Sequence, residues 1–347
     1  MFSILSEREY RSWPSWQVIY EWEDVFADVW SCPVIRIKRG AGTDIFDRFT
    51  ERLGISGLIS RRGYGTAGES LSLLFVMEAD KYYRLPVRDV IPVFLDFPLN
   101  MADTISRVTR NIPVFFVTCM DIYRVLLNKG VNNVKYIPLS VSDIYYSEKV
   151  PEKTVDVVQV GRKDPLLHGY MLDYCSVHTE VEYIYQTDNG TLEYNSTTRG
   201  NLGRFEKRSD YMELLKASRI SLVSSPGCDR DKVKWFGNID FITPRFYESA
   251  VMYCHMLGRY SKNAEAEETG LNRVCVNVSD KDEFNGYIDR YLNNEARDWG
   301  PQREFIKNNL TGVRAGKMKK YSKIYLLITD SETGLMDLYR EAGSLST

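Results

Sequence analysis

The chain has only three histidines among its 347 residues (His168, His178 and His255), which argues against a histidine-rich metal centre. Its six cysteines (Cys32, Cys119, Cys175, Cys228, Cys254 and Cys275) show no short metal-type spacing. Most lie in apolar stretches where a free thiol packs as a small hydrophobe, and they fit a reducing compartment. Charge imbalance is missing too: 45 Lys and Arg against 47 Asp and Glu leave a formal net charge of −2. That total gives no electrostatic case for wholesale DNA or RNA binding. No apolar run approaches the roughly 20 residues needed to span a bilayer. Met1-Phe-Ser-Ile-Leu-Ser is followed at once by Glu7, Arg8 and Glu9, so no signal peptide is expected from this stretch. These absences lead to the expectation of a cytoplasmic protein with at most a peripheral membrane contact. Internal repeats, low-complexity tracts and a Ser–His–Asp or Cys–His pattern are also lacking.

What is present is an ordinary globular composition, 44% hydrophobic and 27% charged, long enough for two cores. Val18, Trp22, Val25, Phe26 and Val29 recur at helical spacing over 17–30. Continuous apolar runs at 71–77, 90–95 and 112–117 read as strands buried on both faces. A helix over 120–128 ends at Lys129-Gly130, and a strand follows at 134–137. This rhythm predicts a mainly parallel sheet with helices on its faces. The polar, proline-containing stretch 147–154 reads as a linker. Beyond it come a strand at 155–160, a helix near 166–175 and a strand at 180–185. The stretch 187–208, rich in Asn, Gly and Thr, reads as a turn-laden excursion. A helix at 210–217, strands at 219–224 and 274–278, and helices over 280–293, 301–309 and much of 314–340 complete the reading.

Loops at the carboxyl ends of strands in open α/β sheets are where ligands bind. Gly161-Arg162-Lys163 is such a loop; by itself it reads as a surface turn with solvated cations, while its amides and two cations also suit a diphosphate. Arg245 and Glu248 stand three apart near the start of a helix and share a face. They form either a surface ion pair or a pair that meets a phosphate and a ribose diol. Pro244 fits the first turn of that helix, whose amide ends favour an anion. Ser225, in Ser224-Ser-Pro-Gly227, and Ser249 beside Glu248 complete the candidate binding set. The charged run Asp229 to Lys234 reads as solvated. A general base is expected from the first half: Asp96 after one strand, or Glu78 or Asp80 after another. His168 and His255 are further phosphate candidates if protonated.

Three stretches carry a family resemblance: Val114 through Leu139, Val155 to Lys163, and Tyr211 through Gly227 followed by Thr243 to Gly258. The chain resembles GT-B glycosyltransferases, more closely the bacterial branch of CgeB-type and group 1 glycosyltransferases, over roughly residues 90–278. The resemblance implies two Rossmann-like α/β domains facing each other across a cleft. It implies a nucleotide-diphosphate sugar held mainly by the second domain and an acceptor held mainly by the first. Glu248 then matches the ribose-binding glutamate and Arg162 the phosphate-facing arginine. Asp240 stands eight positions before Glu248, where many relatives carry the first glutamate of an E-x7-E pattern; its side chain is one methylene shorter. His168-Gly169 stands near the place of a Lys-Gly pair, and Arg39-Gly-Ala-Gly42-Thr is the candidate for a glycine-rich loop. No metal or other cofactor is implied, because cations and helix dipoles offset the diphosphate charge in such enzymes.

The resulting expectation is a domain over 1–150 on the acceptor side, a nucleotide-sugar-binding domain over 151–330, and a carboxyl-terminal helix over 331–347 packing back on the first. The activity expected is sugar transfer from a nucleotide-diphosphate sugar to a hydroxyl of a glycan, lipid-linked glycan or protein, in bacterial surface-glycan synthesis. The alternatives are a sugar-nucleotide epimerase on the same fold and a non-catalytic nucleotide-sugar-binding or assembly protein.

Overall fold

The computed structural model describes residues 2–9, 11, 13–37, 71–78, 90–110, 112, 114–188, 191–228, 237, 239–293 and 298–321. Six strands form the first sheet: β1 (Phe2–Ser6), β2 (Val34–Arg36), β3 (Leu71–Glu78), β4 (Val90–Asp96), β5 (Phe115–Val117) and β6 (Val134–Tyr136). Their order is β2-β1-β3-β4-β5-β6, and every pair is parallel. Parallel strands need crossovers, and α1 (Gln17–Trp30), α2 (Ala102–Val108) and α3 (Met120–Asn128) supply those described. Leu73, Val76, Ile91, Val93 and Phe94 are all fully buried, the two-sided burial anticipated from the continuous apolar runs. Each such side chain contributes about 1.5–3 kcal/mol when withdrawn from water. On α1 the helical spacing seats Trp22 and Phe26 against Phe75 of β3, with ring centroids 5.9 and 5.1 Å away.

The second sheet holds β7 (Val155–Gln159), β8 (Tyr183–Gln186), β9 (Glu193–Ser196), β10 (Gly200–Arg204), β11 (Ser218–Ser224), β12 (His255–Arg259) and β13 (Cys275–Asn277). Its order is β10-β9-β8-β7-β11-β12-β13. The helices here are α4 (Pro165–Val177), α5 (Arg208–Ala217), α6 (Pro244–Val251), α7 (Ala264–Thr269), α8 (Lys281–Leu292) and α9 (Gly300–Asn308). One expectation is corrected: the stretch read as a turn-laden excursion folds as the antiparallel ribbon β9–β10, which widens the sheet beyond β8. Its turn residues were real, but Tyr194 within it is buried and stacks on Phe205 at 4.6 Å. That buried contact converts a polar segment into sheet.

The two sheet units touch extensively. Ile239 and Phe241, on the loop before α6, are buried in the same apolar cluster as Phe94, Phe97 and Met101 of the first unit. After α9 the chain returns to that unit. Leu310 bridges Val141 in parallel, the Ser140 and Thr311 hydroxyls meet at 2.9 Å, and Trp30 Nε1 donates to the Ala315 carbonyl at 2.9 Å. Leu310 stands just before, and Thr311 and Ala315 lie within, a helical run over 311–321. The tail expected to pack back, 331–347, lies outside the described residues. Among the described residues no helix is long and apolar enough to cross a membrane.

Candidate active site at the β7–β11 crevice

The strand order of the second sheet reverses direction at one place. From β7 the chain runs outward through β8, β9 and β10, then returns to lay β11, β12 and β13 on the other flank. The loops leaving β7 and β11 therefore part in opposite directions, which opens a crevice at the carboxyl ends of those strands. Gly161-Arg162-Lys163 leaves β7 there, and Ser225 leaves β11.

Gly161 adopts φ +67°, a left-handed conformation open to glycine at little strain. Its amide donates to the Tyr194 hydroxyl at 3.2 Å. Arg245, in the first turn of α6, lies across the crevice: Nη1 donates to the Arg162 carbonyl at 2.7 Å and the Val160 carbonyl at 3.5 Å, and Nη2 to the Ser224 carbonyl at 3.5 Å. Carbonyls carry no net charge, so the positive charge of Arg245 is retained at the mouth of the crevice. Thr243, the residue at the N-terminal cap of α6, makes no side-chain cap hydrogen bond, and its buried hydroxyl has no protein partner. An arginine, a helix start and an unsatisfied hydroxyl thus fall within three consecutive residues, 243–245, where an anion would find donors.

The surrounding loops are stitched by two buried carboxylates. Asp164 accepts from the Leu166 and Leu167 amides, capping α4, and from Arg259 Nη1 of β12 at 3.0 and 3.1 Å. Asp240 accepts from Ser225 Oγ at 2.7 Å, Gly227 N at 2.8 Å, Ser261 N at 2.9 Å and Phe241 N at 3.1 Å. Four donors on one carboxylate make Asp240 the knot of the loops after β11 and β12.

The candidates from sequence are distributed as follows. Gly161, Arg162 and Arg245 meet at the crevice, with Arg162 half-buried. Lys163 turns toward β8, where its ammonium donates to the Thr187 carbonyl and stands 5.3 Å from the Tyr185 ring centroid; burial lowers its pKa. The Ser225 hydroxyl is spent on Asp240. Glu248 is buried; Oε1 pairs with Arg208 Nη1 at 2.9 Å and Oε2 accepts from the Tyr211 hydroxyl. Ser249 is buried on the sheet side of α6, 2.8 Å from Ser221 Oγ of β11. Asp96 and Glu78 end the neighbouring strands β4 and β3 in register with each other. Asp96 is half-buried, and the Glu78 side chain lies outside the described residues. So do Asp80, the run 229–234 and the Arg39–Thr43 loop.

His168 does not serve as an imidazolium. Burial, then the nearby Lys163 charge, push its pKa down to about 4, and Nδ1 lies 3.0 Å from the Tyr183 hydroxyl. His255 is stacked on Tyr291 at 4.0 Å. Sequence reasoning did not find Tyr194, Arg208, Tyr211, Thr243 or Arg259. Only Thr243, a β-branched hydroxyl ahead of Pro244, carries a local signal, that of a helix cap. The partners of the others are remote in sequence.

No family model matches the chain, and no curated protein matches it in sequence. Among solved structures, S. aureus MnaA with UDP is similar at a TM-score of 0.51 and 11% identity, over 94% of this chain and 96% of that one. The UDP-GlcNAc 2-epimerase of Methanocaldococcus jannaschii gives a TM-score of 0.47 and 11% identity, over 93% of this chain and 99% of that one. The pneumococcal O-GlcNAc transferase GtfA, in complex with UDP and GlcNAc, gives 0.44 and 10% over 81% of this chain. The chain spans 60% of the length of that transferase. At these identities the likeness is one of fold, and the fold is the GT-B arrangement of two parallel-sheet units.

Proposed function

We propose that the chain is a glycosyltransferase that moves a sugar from a nucleotide-diphosphate donor to a hydroxyl acceptor. The observation that carries this reading is Arg245 at the start of α6, reaching the loop that leaves β7 across the crevice between β7 and β11, two residues after the unpartnered Thr243 hydroxyl. Arg245 and Arg162, with the Arg245 amide as the first N–H of α6 because Pro244 has none, would hold the diphosphate, supplying the countercharge that a departing nucleoside diphosphate needs. Lys163, held at Thr187, would add field rather than contact. A carboxylate has about four lone-pair positions, and Glu248 gives one from each oxygen to Arg208 and Tyr211. The remaining pair suits the two hydroxyls of a ribose.

In the transfer step the acceptor oxygen forms a bond to the anomeric carbon. The bond from that carbon to the phosphate oxygen breaks, and its electron pair leaves with the nucleoside diphosphate. The acceptor proton passes to a carboxylate of the first unit, Asp96 or Glu78, at the ends of β4 and β3. The CgeB-type resemblance suggests bacterial surface-glycan synthesis as the setting, with a glycan, lipid-linked glycan or protein as acceptor.

MnaA holds UDP, so uridine nucleotides are the first donors to test. Binding of UDP, GDP, ADP and dTDP is measured by calorimetry, and incubation with the matching sugar nucleotides is followed by product analysis with and without acceptor glycans. A nucleotide that binds wild type and is lost in Arg245→Ala supports the crevice as the donor site. Transfer to an acceptor supports the glycosyltransferase. An altered sugar on the nucleotide without any acceptor indicates an epimerase, and binding with no turnover of either kind indicates a binding protein.

A further inference from the structure

Arg208, the first residue of α5, sits between two carboxylates from different halves of the molecule. Its Nη1 pairs with Glu248 Oε1 of α6 at 2.9 Å, and its Nε donates to Glu21 Oε1 of α1 at 2.6 Å. The guanidinium also stands 5.8 Å from the ring centroids of Tyr145 and Tyr211. Those two tyrosines extend the same chain of contacts: the Tyr145 hydroxyl donates to Glu21 Oε1, and the Tyr211 hydroxyl to Glu248 Oε2. Burial works against the Arg208 charge, yet the Glu248 and Glu21 carboxylates outweigh it and raise its pKa above the ordinary value. A cavity of about 540 Å³, lined by Gln17, Glu21, Tyr145, Arg208 and Ser209 among others, opens beside the cluster.

Two carboxylates around one arginine leave the cluster with one negative charge in excess, and all three side chains are largely withdrawn from solvent. Buried ionic groups of this kind contribute little to stability against an apolar replacement, so stability alone is a weak reason for the arrangement. Its geometry does something else. Arg208 and Tyr211 fix both oxygens of Glu248, and Glu21 of the first unit fixes Arg208. Glu21 belongs to α1, far from the crevice in sequence, and its hold on Arg208 exists only while the two units are docked as described.

We propose that Arg208 is a positioning residue that sets the Glu248 carboxylate for a ribose and, through Glu21, makes ribose recognition depend on the docking of the two sheet units. This rests on the donor-site reading given above. Ribose-bearing ligands then report the state of the first unit, while a bare diphosphate at Thr243 and Arg245 does not. The coupling needs no contact between Glu21 and the ligand; it needs one buried side chain that both units bias.

The test uses the full chain and two probes: inorganic pyrophosphate, and whichever of UDP, GDP, ADP and dTDP binds wild type most tightly. Dissociation constants are measured by calorimetry for wild type, Glu21→Gln, Tyr145→Phe, Glu248→Gln and the Glu21→Gln/Glu248→Gln double variant. Glu21→Gln is expected to weaken the nucleotide about fivefold or more and leave pyrophosphate within about twofold. Tyr145→Phe, a milder change that removes one hydrogen bond from Glu21, should move the nucleotide the same way and stands in if Glu21→Gln fails to fold. The double variant should bind no more weakly than Glu248→Gln alone, because both changes break one chain of contacts. A nucleotide constant unchanged in both Glu21→Gln and Tyr145→Phe, with Glu248→Gln impaired, overturns the proposal and leaves the donor site standing. Equal loss of nucleotide and pyrophosphate overturns it as well, since that is the mark of a general structural defect. If no nucleotide binds wild type, or Glu248→Gln binds as wild type does, the donor-site reading itself falls and takes this one with it.

Discussion

Glu265 of α7 caps a helix that belongs to the other sheet unit: its Oε2 accepts the backbone amide of Met120, the first residue of α3, at 3.1 Å. Its Oε1 accepts from the Ile242 amide at 3.4 Å. Cys119, at the cap position itself, offers α3 no side-chain hydrogen bond, so a residue 145 positions away takes that part. The carboxylate is buried, and Asp121 and Asp240 stand near it. Burial first, and those two charges after it, push its pKa up to about 8, while the two amides pull the other way.

That shift sets a direction for stability with pH. The folded protein keeps the proton on Glu265 above the usual 4.5, where the unfolded chain releases it. The contribution is therefore complete below about pH 4.5 and is lost as the pH rises through about 8. Glu23, pushed up to about 7 by burial, adds to the same trend. Urea denaturation at pH 5, 7 and 9 should show wild type losing stability as the pH rises, at roughly 1.4 kcal/mol per unit of pKa difference. Glu265→Gln, which holds a neutral side chain in place, should show a shallower slope. An unchanged slope in the variant would remove Glu265 from the account.

Gly227 lies against the Asp240 knot so closely that an added Cβ would stand 2.6 Å from Asp240 Cγ. Asp240 cannot yield without losing hydrogen bonds from Ser225, Gly227, Phe241 and Ser261. Gly227→Ala should cost about 1–3 kcal/mol, as overpacking does, measured by the shift in urea midpoint. A variant as stable as wild type would mean that the two loops are not held as described.

Thr243→Val separates stability from binding. The Thr243 hydroxyl is buried without a protein partner, so replacing it with a methyl group should be neutral or stabilising by up to about 1 kcal/mol. If the hydroxyl serves an anion at the start of α6, the same variant should bind pyrophosphate several-fold more weakly. Thermal melts and calorimetry on one preparation read both effects. Loss of stability with intact binding would give the hydroxyl a structural role instead.

His168 offers a spectroscopic check on the packing around β7 and β8. Held near Tyr183 and Lys163, it should titrate by NMR with a midpoint near 4, well below the ordinary histidine value of 6.5. The sign is opposite to that of Glu265. This depressed pKa gives stability that is present above about 6.5 and is lost as the pH falls through about 4. An ordinary midpoint would show the imidazole to be in water.

Much of the scaffold is legible in the sequence, because the signals are local. The helical spacing of Val18, Trp22 and Phe26 gives α1, the continuous runs give β3 and β4, and Lys129-Gly130 marks the end of α3. The loop after β7 and the helix at Pro244 were likewise readable, as were their cations. The ribbon β9–β10 was not, since its turn residues are local but the burial of Tyr194 against Phe205 is not. Nor did the sequence distinguish Arg245, which lies across the crevice, from Lys163, which turns away to Thr187. By itself the chain determined two parallel-sheet units and the loops on which a phosphate site can be built, because hydrophobic period and turn chemistry act over a few residues. Tertiary structure alone decided that Glu248 shares Arg208 with Glu21, which stands 187 positions before that arginine. Charge pairs and buried hydrogen bonds are set by where folded elements meet, and no local pattern encodes that meeting.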